Sequence, residues 1–171
     1  ATVRLVSGSP VTQDETPLTP WNHPIDYGDA NNPDPTTNPP TCSAYPTRIG
    51  CDGARHGLNS DLALGALRDA DGGNAHGPNA DGDDTANLAD EDGVAPTVGV
   101  NWTPGGQGSI TAVVTGGSGY LNCWVDWNRD SDWADAGERV VADASAPLGA
   151  SAHTFAVPGG QTFTNPLIAR C

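Results

Sequence analysis

The chain has 171 residues, enough for one domain with a real hydrophobic core. Its 21 acidic residues face seven Arg and no Lys, and a formal charge of −14 repels phosphate, which argues against nucleic acid and anionic membrane surfaces as partners. With 22 Gly and 15 Pro the chain is rich in turns and poor in long helices, and no apolar run approaches the roughly 20 residues of a membrane-spanning helix.

In chain order, Thr2, Val3, Arg4, Leu5 and Val6 read as a strand that opens an extended arm over residues 1–25. Residues 7–60 are dense in proline and predict turn and loop. A loop region that long inside a compact domain has to be pinned by a metal, a disulfide or the packing of Trp21, Tyr27 and Tyr45. The sequence holds no Met, and Ala1 is compatible with removal of a signal peptide. Together with four Cys, this predicts a secreted protein of the extracellular space or cell surface. Cys42 and Cys51 bracket a short step of turn formers and suggest a local disulfide, which leaves Cys123 with Cys171; the other two connectivities stay open. No Cys spacing has a zinc-ligand form. Residues 61–68 fit a short helix starting at Asp61 or an extended segment equally well.

A first acidic stretch runs from Asp81, Asp83 and Asp84 to Asp90, Glu91 and Asp92. Such Asp- and Gly-rich runs form solvated turns as readily as cation sites; as a cation site, its ligands would be Asp81, Asp83, Asp90 and Asp92. From residue 109 the pattern turns to β. Ser109–Thr115, Leu121–Trp127, Glu138–Ala142, His153–Val157 and Pro166–Cys171 are short runs of β-branched and aromatic residues, separated by Gly and Pro at the spacing of a sandwich. The period of two puts Cys123, Val125 and Trp127 on one strand face and Trp124 with Asp126 on the other.

The second acidic stretch, Asp126 to Trp133, places oxygen side chains at every other position: Asp126, Asn128, Asp130 and Asp132, with Glu138 following. That spacing lets a tight loop wrap its oxygens around one hard cation, and Ca²⁺ is the expected ion. The loop is not a regular EF-hand. Ser131 stands where the sharp-turn Gly belongs, and Glu138 comes one residue after the twelfth position, so a loop between two strands is predicted.

Several further pieces recur in order. They are Asp26-Tyr27-Gly28-Asp29-Ala30, then Gly53-Ala54-Arg55-His56, Leu64-Gly65 and Asp69-Ala70-Asp71-Gly72. Gly82-Asp83-Asp84 and Asp90-Glu91-Asp92-Gly93-Val94 follow, then Trp124 to Trp133 with Gly137-Glu138, a Phe155-to-Pro158 strand, and Ala169-Arg170. Over 26–171 this series resembles the GEVED domain of bacterial secreted and cell-surface proteins. The resemblance implies a jelly-roll- or Ig-like β-sandwich with long acidic calcium-binding loops, little helix and no catalytic activity. The sequence departs from the family in lacking its naming motif, in carrying an insertion with Cys42 and Cys51, and in stopping at Cys171 where the last strand commonly continues.

No nucleophile elbow or other catalytic motif is present, and His23, His76 and His153 are expected in loops or on the surface. His56 is expected to order the acidic loops through hydrogen bonds. Asn101-Trp102-Thr103 matches the glycosylation triplet. The chain therefore reads as a non-enzymatic, calcium-stiffened structural module, a filament or surface-protein subunit. The alternative is an adhesin or accessory module holding glycan or protein on exposed aromatics such as Trp21, Trp102 or Trp133. For assembly, the Thr2–Val6 strand is expected to add to the open sheet edge of a second copy, giving a head-to-tail homopolymer.

Overall fold

The structure is a computed structural model and describes residues 25–27, 30, 45, 47, 51, 53, 55–58, 61–68, 70, 91–163 and 166–171. The Thr2–Val6 strand, Trp21, Cys42, Asp81, Asp83 and Asp90 lie outside the described residues.

The described chain is all-β. Strands β1 (Ile25–Tyr27) and β2 (Arg55–Gly57) form a small antiparallel pair, with Ile25 opposite Gly57. Then come β3 (Ala63–Leu64), a 3-10 turn at Glu91–Gly93, β4 (Val94–Pro96), β5 (Gln107–Thr115), β6 (Gly119–Val125), β7 (Arg139–Ala146), β8 (Gly149–Ala156) and β9 (Ala169–Arg170). Residues 61–68 take the extended option, since β3 pairs Leu64 with Val114 of β5.

Two antiparallel sheets carry the domain. In the first, β5 is central: β8 pairs along one edge, while β3 and β4 share the other. In the second, β6 is central between β7 and β9. The chain passes from the first sheet to the second between Thr115 and Gly119, and returns between Ala146 and Gly149. Alternate residues of the two central strands meet in the middle: Ile110, Ala112 and Val114 from β5, and Leu121, Cys123 and Val125 from β6. Phe155, Val157, Val141 and Trp127 close the core, and Trp102 and Phe163 pack against it. A fully buried Leu such as Leu121 contributes roughly 2–3 kcal/mol by leaving water, so this alternation is what fixes the register of both sheets.

The outer face of β6 holds one polar post. Leu121 lies opposite Ala144 and Cys123 opposite Val141, so two β7 residues face Asn122. Asp143 lies in this bulge with a φ of 48°. Asn122, buried at 5% exposure, fills the gap. Its Oδ1 accepts from Asp143 N (2.9 Å) and from the Arg139 guanidinium, and its Nδ2 donates to Asp143 Oδ1 (3.1 Å).

Cys123 of β6 is disulfide-bonded to Cys171, just past β9. This fixes the last strand beside β6, as expected. Cys51 is also disulfide-bonded, while its expected partner Cys42 is not among the described residues.

Candidate metal centre

The acidic loop starts where β6 ends. The strand breaks off at Val125, two residues earlier than the β pattern alone predicts. Three backbone bonds then frame the loop: Val125 N donates to Glu138 O (2.8 Å), Asp126 N to Ile168 O (3.0 Å) and Glu138 N to Asp135 O (3.2 Å). The first bond returns the chain to its starting point, so Glu138 lies beside Asp126. The loop turns through two left-handed residues, Arg129 (φ 64°) and Ser131 (φ 74°), and through Gly137 (φ 91°).

The alternation of oxygen side chains has a local use. Asn128 Oδ1 accepts from Asp130 N (3.1 Å), Asp130 Oδ1 from Asp132 N (3.2 Å), and Asp132 Oδ1 from Ala134 N (2.7 Å). These are three successive Asx turns, in which each side chain bonds the backbone two residues on. Asn128 Nδ2 also donates to Asp130 Oδ2 (3.0 Å) and to Asp135.

Asp126 and Glu138 behave differently. They are 0% and 1% exposed, a rare position for carboxylates. Asp126 Oδ1 accepts from Arg129 N, and its Oδ2 from Ser131 N (3.0 Å) and from the Tyr45 hydroxyl. Glu138 Oε1 accepts from Trp127 N (3.3 Å) and Oε2 from Asp135 N (3.2 Å). Burial above all pushes the Glu138 carboxyl above its ordinary pKa; the amide of Asp135 opposes this, and the neighbouring Asp126 charge adds to it. Burial, then the bond to Asp126, pushes the Tyr45 phenol far up, so it stays protonated and donates.

Carboxylate oxygens of Asp126, Asp130 and Glu138 all lie within 4.8 Å of one another. Two oxygens on one calcium are at most about twice its 2.3–2.6 Å bond length apart, so this spread suits one ion. The donors are all hard oxygens, the chemistry of calcium or magnesium rather than of zinc or copper. Of the five residues expected here, Asp126, Asp130 and Glu138 come together. Asp132 lies outside that group and Asn128 serves the Asx turns. Asp92, expected in a second site, is exposed and accepts from Ala66 N (3.1 Å to each oxygen) and Leu67 N (3.4 Å), which caps the turn after β3.

Sequence reasoning named Tyr45 only as a residue whose packing would pin the long loop, and missed both its bond to this centre and Thr47 beside it. Tyr45 and Thr47 are 4% and 2% exposed. The Tyr45 ring lies 4.4 Å from the Trp133 ring, and the Arg170 guanidinium sits 5.3 Å over the same Trp133. Arg170 also donates to Thr47 Oγ1 (3.3 Å). Burial pushes the Arg170 pKa down to about 10, which leaves it charged at neutral pH. Trp102 is likewise engaged, donating to Ser109 O (3.1 Å) and meeting Phe155 edge-on at 5.0 Å. His153, expected in a loop or on the surface, is instead half-buried in β8, sharing a 2.9 Å hydrogen bond with Ser151.

Two packed antiparallel sheets, with an acidic loop joining β6 to β7 within the second of them, define an all-β module with a candidate cation centre. Residues 120–170 match the family model of the GEVED domain. The match takes in β6 through Arg170 and contains Asp126, Asp130 and Glu138, whereas Tyr45 and Thr47 lie outside it. No curated protein and no solved structure gives a match.

Proposed function

We propose that this chain is a secreted, non-catalytic structural module stiffened by calcium, a subunit of an extracellular filament or surface protein. The observation that carries the reading is the grouping of Asp126, Asp130 and Glu138, two of them buried. Carboxylates this close repel one another, and a divalent cation turns that repulsion into a tie. The tie would join the end of β6 to the start of β7, next to the backbone bond that holds Ile168. We read the sandwich as jelly-roll- or Ig-like, since the chain changes sheet on both sides of the β6–β7 pair.

Assembly by strand addition is part of the proposal. Strand β9 pairs with β6 only at Trp124 and Val125. Among the described residues no strand pairs with Gly119–Asn122 along that edge. An apolar cavity of about 460 Å³, lined by Val94, Trp102, Ile110, Val125, Phe163 and Leu167, among others, lies at the other end of β6, where β9 pairs. An unpaired edge suits an added strand, and the occupant we propose is Thr2–Val6 of a second copy, with Val3 and Leu5 on one face. The glycan-binding alternative has less support, because Trp102 and Trp133 are both held by neighbours.

Sedimentation of the purified chain, with calcium and with chelator, tests the reading. Calcium-dependent polymers that vanish on deletion of residues 1–7 are expected. A chain that stays monomeric at high concentration with calcium, or a truncated chain that assembles equally well, rejects strand exchange.

A further inference from the structure

The centre is built from two parts of the chain that are far apart in sequence. The loop supplies the carboxylates; Tyr45, 81 residues before Asp126, supplies a hydroxyl to one of them. A carboxylate has about four lone-pair positions. Among the described residues, Asp126 Oδ2 takes both the Ser131 amide and the Tyr45 hydroxyl, while Oδ1 takes the Arg129 amide alone. Of the two oxygens, Oδ2 is thus the more fully used by these donors, and Oδ1 is the better placed to take a cation. Tyr45 also bears on how the loop closes, because its ring lies against Trp133, which in turn lies under Arg170 beside Thr47.

We infer that Tyr45 is a positioning residue of the cation centre, and that docking of Tyr45 and Thr47 onto the loop and occupancy of the centre by a divalent cation are one linked equilibrium. This rests on the calcium reading above. The hydroxyl orients Asp126 by holding its Oδ2, which is how an outer partner tunes a ligand. Coupling between two events is reciprocal. Whatever factor of affinity the docked Tyr45 gives to calcium, calcium gives back to the docking of Tyr45 and Thr47. Tyr45 and Thr47 would then be held against the loop with calcium bound, and held less tightly when calcium is withdrawn.

Two measurements on the full chain test this. Calorimetric titration with calcium chloride compares the wild type with Y45F, which keeps the ring on Trp133 and removes only the hydroxyl. The affinity of Y45F should fall about tenfold or more, the usual effect of losing an outer partner. Hydrogen exchange then follows the amides of Tyr45 and Thr47. In the wild type, calcium should slow their exchange by the same factor, and in Y45F by much less. A Y45F affinity within about twofold of wild type overturns the inference, as does an unchanged exchange rate in wild type that binds calcium. If Y45F does not fold, the wild-type exchange measurement decides alone. A wild type that binds no calcium rejects the parent reading and this one with it, an outcome distinct from binding without coupling.

Discussion

Asp126 and Glu138 are buried side by side because the amide of Val125 donates to the carbonyl of Glu138, bringing the two ends of the acidic loop together. Their placement costs stability while no cation is bound, since two desolvated like charges face each other.

Calcium should therefore raise the melting temperature. At a hundredfold excess over Kd, binding to the folded state alone adds about 2.7 kcal/mol, or roughly 5–10 °C for a chain of this size. E138Q should lose most of that calcium-dependent increment. Differential scanning calorimetry with calcium and with chelator decides; an unmoved transition sinks the calcium reading.

The Cys123–Cys171 bond closes a sequence separation of 48 residues. Loop-closure entropy for such a ring gives about 4 kcal/mol. Replacing both Cys by Ala should lower stability by that order in urea unfolding and free the end of β9. A double variant as stable as the wild type would mean that β9 is held by its pairing with β6 alone.

Asn122 is the one side chain that fills the β7 bulge. In N122A the Asp143 amide loses its acceptor, and the Arg139 guanidinium keeps only Asp143 of the two it bonds here. The expected loss is about 1–3 kcal/mol, measurable by chemical denaturation. An unchanged midpoint would show that water replaces the amide fully.

Gly116 and Gly149 offer a paired test. Both have positive φ, 71° and 91°. A Cβ on Gly116 would lie 1.8 Å from Asp61 O, while one on Gly149 meets nothing within 4 Å. G149A should cost only the backbone term, about 1–2 kcal/mol, and G116A clearly more, because backbone must move. Equal losses would place no weight on the close approach at Asp61.

Burial lowers the pKa of His153 below its ordinary 6.5. As pH falls through 6.5 the unfolded chain takes up a proton that the folded chain refuses, so stability declines with falling pH until the folded pKa is reached. H153Q cannot take that proton. The stability difference between wild type and H153Q should thus shift toward the variant between pH 7.5 and 5.5, read by thermal melts. A difference independent of pH would contradict the burial argument.

The β half of this protein was legible in its sequence, because alternation of apolar and polar residues is a local signal. Ser109–Thr115 and Leu121–Trp127 mark β5 and β6 nearly in place, and the inward face of Cys123, Val125 and Trp127 follows from the period of two. Residues 120–170, matched to the GEVED domain, bear out the later part of the resemblance drawn from the motifs. The spacing of Asp126, Asn128, Asp130 and Asp132 marked the loop, yet spacing does not separate ligands from turn formers. Only the tertiary structure brings carboxylates of Asp126, Asp130 and Glu138 together and buries the first and last, while Asn128, Asp130 and Asp132 all close local Asx turns. The strands β1, β2 and β3 have too few residues for a period to appear; β3 is extended because it adds to the edge of β5, and β1 and β2 pair only with each other. Least legible of all was the partner of Tyr45, a residue that the sequence marks only as a packing anchor. Nothing near it in sequence marks a carboxylate 81 residues away, and only the fold, by bringing Tyr45 against the loop, gives its hydroxyl a buried carboxylate to bond.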